Sequence, residues 1–340
     1  MTLLDSDALK EFVRNSGYSQ NCFEISFDQL LVPDFRIYEA AEAFPEFSEK
    51  AVYMLLQSDK LVFTNIDFNN DPPTIECRNT TTDQLYKIDN FWAFPCPISK
   101  EALYMEIISD TLIDTGIKEK YKQYYPQFVQ NLKFDIYHLI ALSNKNSVTK
   151  SQFDLLYIGR SKGFFNRTKD RHEKVNKIRR DIASGALPNK ELFVWILKPK
   201  PEFHQRYSFD LCNFAFSDSC WNKEGPFSID IEDKNLLGIT EAMLVNYFKP
   251  QYNNHYVNGI RDIEDLKALR KAGVKKVLVN LNLFLQPTKD LLVVGTETEN
   301  TNNNKHITLE MSLGKMLKEG SVEISSLVMP DELYPIFIGE

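Results

Sequence analysis

Phe153-Asp-Leu-Leu-Tyr157-Ile158-Gly159 is the stretch of sequence on which the fold assignment rests. Its apolar, β-prone residues predict a strand, and Gly159 with the basic residues after it predicts a turn toward a helix. Tyr157 is therefore expected near the end of a strand, where binding and catalytic sites often form. We take this strand end as the centre of a candidate site.

A second informative stretch, Glu241-Ala-Met-Leu-Val-Asn-Tyr-Phe, comes later in the chain. Its apolar residues have a spacing compatible with a helix. We expect this helix to end at Lys249-Pro250, because proline disfavours helical backbone in the residue before it. Glu241 lies in the predicted first turn, from which a lone carboxylate can face a site. Taken alone, it could equally complement the positive end of its own helix.

The residue types in and between these stretches suit cleavage of a phosphodiester. That reaction needs a group that activates a nucleophile, a fixed cation for the phosphate oxygens and a carboxylate that holds a divalent metal ion. Tyr157, Arg167 and Glu241 are residues of these three kinds, and His172 follows the arginine closely. Each has an ordinary structural explanation when considered alone, so the prediction depends on their combined order and spacing.

These residues resemble the motifs of the GIY-YIG nuclease superfamily. Tyr157-Ile158-Gly159 is similar to the second half of the family name, and Arg167 falls eight residues after that glycine, where the family's catalytic arginine is expected. Glu241 resembles the metal-binding glutamate, and Lys249-Pro250-Gln251-Tyr252-Asn253 is similar to the ending found after it in many members. The best match to the first half of the name is Asp135-Ile136-Tyr137, in which aspartate replaces glycine.

This assignment of the first half implies an unusually long hairpin, because nineteen residues separate Tyr137 from Tyr157. Residues 134–142 can form the preceding strand. The segment from Ser143 to Gln152 would be an enlarged loop, since Asn144-Lys-Asn-Ser has the composition of a turn.

The resemblance implies a metal-dependent endonuclease, with DNA favoured over RNA as the substrate. Tyr137 or Tyr157 would deprotonate or orient the attacking water, Arg167 would stabilise charge on the phosphate, and His172 would contact phosphate or relay a proton. Glu241 would hold one Mg²⁺ or Mn²⁺ ion. The residues expected to contact nucleic acid are Arg160, Lys162, Lys169, Arg171, Lys174 and Asn253.

Charge is distributed unevenly along a chain whose net charge is −7. Between Tyr157 and Arg206 thirteen basic residues stand against five acidic ones, and this excess could supply the phosphate contacts that dominate nucleic-acid affinity. A solvated helix face is the structural alternative. Residues 1–100 carry sixteen acidic and eight basic residues, which favours a protein partner for that region over nucleic acid.

The predicted fold class is α+β, with a small GIY-YIG-like mixed sheet flanked by helices at its centre. At 340 residues the chain is long enough for more than one domain. We predict an acidic, mixed α/β domain over residues 1–125, the nuclease-like domain over 130–256 and a small β-containing domain over 260–340. Within the first, we expect a helix at 37–56, interrupted near Pro45, and a hairpin formed by 61–68 and 74–78.

Composition excludes several other classes. No apolar run is long enough to span a bilayer and no secretory signal pattern is present, so we expect a cytoplasmic protein. Five widely spaced cysteines without a C-x-x-C pair support neither a disulfide framework nor a zinc finger. Two alternatives to an active nuclease remain open: a nucleic-acid-binding module that has lost catalysis, and a protein-interaction scaffold. A homodimer is also open, because an autonomous cut of both strands needs two active sites or two successive events.

Overall fold

The structure, a computed structural model, has the α+β character that the sequence predicts. It describes residues 18–47, 50–69, 73–88, 99–126, 132–137, 139, 149–161, 172–187, 189–208, 216–217, 233–257, 264–271, 273–285, 290–297, 299, 301, 304–313 and 324–327. Within these residues, none of the helices combines the length and apolar character needed to cross a bilayer.

The described elements are numbered here in chain order. The strands are β1 (Tyr18–Pro33), β2 (Ala51–Asp59), β3 (Leu61–Asp67), β4 (Thr74–Asn79), β5 (Leu85–Ile88), β6 (Leu103–Ser109), β7 (Leu112–Ile117), β8 (Leu132–Asp135), β9 (Thr149–Ser161), β10 (Lys190–Ser208), β11 (Phe216–Ser217), β12 (Lys276–Asn282), β13 (Phe284–Leu285), β14 (Asp290–Gly295), β15 (His306–Ser312) and β16 (Ile324–Leu327). The α-helices are α1 (Ile37–Ala43), α2 (Glu173–Ala183), α3 (Asp233–Phe248) and α4 (Glu264–Lys271). Short 3₁₀ helices span Asp34–Arg36, Pro45–Phe47 and Glu119–Tyr124.

A ten-stranded mixed sheet forms the centre of the molecule, in the order β13-β14-β9-β2-β10-β1-β12-β15-β16, with β11 attached to β10. The four middle strands, β9, β2, β10 and β1, are antiparallel to their neighbours within this group. Parallel pairing joins β12 to β1 and β14 to β9. Strands from all three predicted segments therefore enter one sheet, so the expected boundaries near residues 125–130 and 256–260 do not separate independent sheets.

Both faces of the middle strands are covered by helices. On one face, α3 packs on apolar side chains of β1, β2, β9 and β10. On the other face, α1 and α2 pack through Ile37, Val175 and Ile178 on the opposite side chains of the same strands. Because both faces are covered, β2 is buried at every position from Ala51 to Gln57.

The burial of β2 explains a difference from the sequence prediction. A helix was expected at 37–56, but α1 ends at Ala43 and residues 51–59 form a strand. The run Ala51-Val-Tyr-Met-Leu-Leu is uniformly apolar, which is typical of a strand buried on both faces as well as of a buried helix. Pairing with β9 and β10 on its two edges determines which of the two forms.

A large insertion separates β2 from its partner β9. It contains two three-stranded antiparallel sheets, β3-β4-β5 and β6-β7-β8, which share a core of their own that includes Ile75, Cys77 and Ile113. The predicted hairpin at 61–68 and 74–78 is confirmed as β3 and β4. The expected pairing of residues 134–142 with the Tyr157 strand is not found, because β8 pairs with β7 and β9 pairs with β2.

Candidate active site

The C-terminal half of β9 is held in place by the segment after α3. Helix α3 ends at Phe248, as predicted from Lys249-Pro250, but it begins at Asp233, so Glu241 lies in its interior and not in the predicted first turn. After the helix the chain runs back along β9. The Tyr252 N–H donates to the Leu156 carbonyl at 3.1 Å. The Asn253 side chain accepts from the Ile158 N–H at 2.9 Å and donates to the Ile158 carbonyl at 2.8 Å. Among the described strands, β14 pairs with β9 only as far as Asp154, and this segment bonds to main-chain groups of β9 beyond that point.

The same segment is also tied to α2. The Tyr252 hydroxyl donates to Asp181 at 2.7 Å, and the ammonium of Lys177 lies 5.5 Å from the centre of the Tyr252 ring. Partial burial and the Asp181 carboxylate raise the pKa of Tyr252 to about 12, so its hydroxyl remains a donor. Tyr252 and Asn253 therefore fix α2 and β9 relative to each other.

Two tyrosines and a histidine meet beside the end of β9. Tyr53 of β2 lies opposite Gly159 in the strand register, and its hydroxyl is 3.1 Å from Nε2 of His172. The ring of Tyr157 lies 6.0 Å from that of Tyr53 and 5.7 Å from that of His172, measured between centroids. His172 immediately precedes α2 and its carbonyl accepts from the Asn176 N–H, so the start of the helix positions the imidazole.

Gly159 is required for this contact between aromatic side chains. A Cβ at this position would lie 2.7 Å from Cζ and the hydroxyl oxygen of Tyr53 and 2.8 Å from Cε1 of Tyr157. Real Cβ atoms essentially never approach so closely. The glycine of the Tyr157-Ile158-Gly159 motif thus provides the space in which the two tyrosine rings approach β9.

The next residue of β9 contacts the predicted metal-binding glutamate. Nε of Arg160 lies 3.2 Å from a carboxylate oxygen of Glu241 on α3, and the side chains are 37% and 14% exposed. Gly238, one turn earlier on α3, makes room for the arginine, because a Cβ there would lie 2.5 Å from Arg160 Nη1. The aromatic cluster of Tyr53, Tyr157 and His172 lies on the sheet face that α2 covers, whereas the Arg160–Glu241 ion pair lies on the face that α3 covers. The two groups therefore share the end of β9 but stand on opposite faces of the sheet.

Glu241 has properties that fit a magnesium ligand. Within the described residues, no three His, Cys, Asp or Glu side chains are grouped closely enough to form a metal cage. Mg²⁺ does not need such a cage, because it is usually held by one or two carboxylates and keeps several water molecules or phosphate oxygens. The Glu241 carboxylate could serve as one such ligand, although the Arg160 guanidinium already contacts it at 3.2 Å.

Tyr137 does not belong to the aromatic cluster of Tyr53, Tyr157 and His172. Its ring packs edge-on against Phe193, with 4.7 Å between centroids, and its hydroxyl accepts from the Leu61 N–H at 3.3 Å and lies 3.5 Å from the Asp59 carbonyl. Burial, followed by the effect of nearby Glu191, raises the pKa of Tyr137 far above its ordinary value. The structure therefore does not support Tyr137 as the tyrosine that meets Tyr157, and Tyr53 takes that position.

The remaining predicted residues divide into two groups. Arg167, Lys162, Lys169 and Arg171 lie outside the described residues. Lys174 lies on α2, which also carries Lys177 and Arg180 on its exposed side. Not every basic residue of this helix is available for phosphate, because Arg179 makes two hydrogen bonds to Asp34, at 2.8 and 2.7 Å.

Sequence analysis missed Tyr53, although a signal for it exists. Ala51-Val52-Tyr53 has a small residue, a β-branched residue and a tyrosine in the order of the first motif. The insertion places more than a hundred residues between Tyr53 and Tyr157, which removes the short spacing that normally identifies the pair.

Comparisons of the whole chain found no matching family model, no matching curated protein and no matching solved structure.

Proposed function

We propose that this chain is a metal-dependent endonuclease of the GIY-YIG type, acting on DNA in preference to RNA. The observation that supports the proposal best is that β2 and β9 are adjacent antiparallel strands on which Tyr53, the last residue of Ala51-Val52-Tyr53, lies opposite Gly159, the last residue of Tyr157-Ile158-Gly159. In this interpretation the two halves of the motif form a hairpin whose connection has been enlarged by the insertion between β2 and β9.

The aromatic cluster supplies the groups for activating a water molecule. Tyr157 is partly exposed and can orient the water, whereas Tyr53 is only 1% exposed and instead fixes the imidazole of His172. Histidine is the better proton acceptor at neutral pH, since its ordinary pKa is about 6.5 and that of tyrosine about 10. His172 would therefore accept the proton through the Tyr53 hydroxyl, because its Nε2 lies 3.1 Å from that hydroxyl and its Nδ1 is buried.

The phosphate would be bound by cations from β9 and the basic segment after it. Arg160 lies at the strand end next to Glu241, and Arg167 keeps its predicted role of stabilising charge on the phosphate. Glu241 would hold one Mg²⁺ or Mn²⁺ ion, which would supply stabilisation of negative charge on the departing oxygen. Lys174 and the exposed cations of α2 would extend the contacts along the phosphate backbone.

The test is a cleavage assay with single- and double-stranded DNA and RNA in Mg²⁺, Mn²⁺ or EDTA. We compare the wild-type protein with Glu241→Gln and Arg167→Ala, and use Glu297→Gln at an exposed turn as the matched carboxylate control. We expect metal-dependent products from the wild type and the control and none from the other two variants.

Undiminished cleavage by Glu241→Gln would contradict the proposed site. Absence of products from every protein, with a salt-sensitive shift of the substrate, would instead identify a binding module without catalysis.

A further inference from the structure

The ion pair between Arg160 and Glu241 brings the proposed metal ligand together with a competing cation. The Nε–Oε2 distance is 3.2 Å, and the Glu241 side chain is only 14% exposed, so water screens its charge incompletely. A divalent ion approaching this carboxylate meets a guanidinium that is already bound there. Two cations at one carboxylate repel each other, and this repulsion lowers the affinity for the second.

The space next to Glu241 is shaped for the arginine side chain. Gly238 precedes Glu241 by three residues on α3, so both lie on the same side of the helix. A Cβ on Gly238 would lie 2.5 Å from Nη1 of Arg160, but the guanidinium carbon would be 3.6 Å away. The helix surface therefore leaves room for the end of the arginine side chain only because residue 238 lacks a side chain.

We propose that Arg160 is a resident counter-ion of Glu241 and that a divalent metal ion binds Glu241 only by displacing its guanidinium. The inference rests on the proposed function, since it concerns the same metal site. It adds that the affinity of the site for the metal ion depends on Arg160 and Gly238 as well as on the metal ligand Glu241. Displacement also releases a guanidinium at the strand end where a phosphate would bind.

Two substitutions separate the effect of charge from that of position. Arg160→Gln removes the positive charge, whereas Gly238→Ala keeps both charges and forces the guanidinium away from the helix. The atom that must move in Gly238→Ala is the far end of a flexible side chain, so the helix itself need not shift. Alanine also favours the helix over glycine, so this variant is expected to fold at least as stably as the wild type.

The experiment measures Mn²⁺ binding to the full-length protein without nucleic acid. Binding is monitored through the loss of the free-ion signal in electron paramagnetic resonance. We expect Arg160→Gln to bind Mn²⁺ about fivefold more tightly than the wild type, because it removes a unit charge at contact distance. Gly238→Ala should bind more tightly than the wild type but less tightly than Arg160→Gln. Glu241→Gln should abolish this binding in each background.

Two controls accompany the titration. Lys133→Gln changes the net charge by the same amount on an exposed strand of the insertion, and it should leave Mn²⁺ affinity unchanged. Thermal unfolding of each variant verifies that the fold is retained.

The outcomes distinguish this inference from the proposed function. Wild-type binding that depends on Glu241 but does not tighten in Arg160→Gln or Gly238→Ala would overturn the inference and leave the metal site in place. Binding that Glu241→Gln does not reduce, or no binding to any of the proteins, would overturn both.

Discussion

The two ends of the β2–β9 pair each carry a buried or half-buried tyrosine, and the partners of the two hydroxyl groups differ. At the start of β2, the hydroxyl of Tyr53 lies 3.1 Å from the imidazole of His172. Past the other end, the hydroxyl of Tyr137 lies beside main-chain groups of Leu61 and Asp59. A hydroxyl beside an imidazole can take part in proton transfer, whereas one bonded to the main chain holds two segments together.

The ionisable groups at the two ends differ in the same way. Arg160 and Glu241 meet at the end where β9 stops and the predicted basic segment begins. At the opposite end, Asp59 bonds to Lys190 at 2.9 Å and to Asn79 at 3.0 Å, which joins the sheet to the insertion. This difference is the reason that we place the proposed chemistry at the first end, whereas the contacts at the second end join the sheet to the insertion.

The substitution expected to have the largest effect at the Tyr53 end of the β2–β9 pair is Gly159→Ala. The added Cβ would overlap the rings of Tyr53 and Tyr157, so we expect a loss of stability of about 1–3 kcal/mol from overpacking. Misplacement of the cluster should also reduce metal-dependent cleavage by about 10²-fold. Denaturant unfolding and initial cleavage rates measure the two effects.

Gly185→Ala is the matched control for that substitution. Gly185 has a φ of 78°, and a Cβ there meets nothing within 4 Å. Alanine should cost stability through backbone strain alone, so this variant should lose stability but keep the cleavage rate of the folded protein. Equal cleavage by both variants would show that the tyrosine contact at Gly159 does not matter for activity.

A smaller effect is expected when the support behind β9 is removed. Asn253→Ala leaves the buried N–H and carbonyl of Ile158 without their side-chain partner, which should cost about 1–3 kcal/mol. The neighbouring Asn254 is exposed, so Asn254→Ala should be close to neutral in the same unfolding experiment. Similar stabilities for the two variants would mean that Asn253 does not hold the strand.

The smallest effect on stability is expected at Asp59, where the sheet joins the insertion, and it should depend on pH. Burial opposes ionisation of Asp59, but hydrogen bonds from Asn79 and Lys190 outweigh it and lower the pKa of the carboxyl. Its stabilising effect should therefore be present above the ordinary value of 3.8 and disappear as the pH falls through the lower pKa of the folded state.

Thermal unfolding of Asp59→Asn tests this prediction. The variant should be less stable than the wild type at neutral pH and equally stable in strong acid, with cleavage at neutral pH unaffected. A stability difference that stays constant across the titration would contradict the assignment.

Local sequence patterns predicted those parts of the fold that depend on neighbouring residues. The hairpin of β3 and β4 and the end of α3 before Pro250 follow from alternation and proline geometry. The assignment of residues 51–56 to a helix was wrong, because a short apolar run is compatible with a buried strand or a buried helix. Only pairing with strands distant in sequence, β9 and β10, determines the outcome.

Sequence analysis selected the candidate residues whose motif and spacing are both intact. Tyr157, Gly159 and Glu241 were identified from short motifs, and the structure adds the Arg160–Glu241 contact. Tyr53 was not found because the insertion separates it from Tyr157. Tyr137 was chosen because Asp135-Ile136-Tyr137 is the best match to the first half of the motif, and no local pattern could indicate that it packs at the junction with the insertion.

The most direct test of this account compares Tyr53→Phe with Tyr137→Phe in Mg²⁺-dependent cleavage. Each substitution removes one hydroxyl from a tyrosine at one end of the β2–β9 pair. We predict that Tyr53→Phe lowers the cleavage rate by about tenfold or more, because the imidazole of His172 loses its partner, while Tyr137→Phe stays near the wild-type rate. A rate that falls in Tyr137→Phe but not in Tyr53→Phe would contradict the placement of the active site at the Tyr53 end.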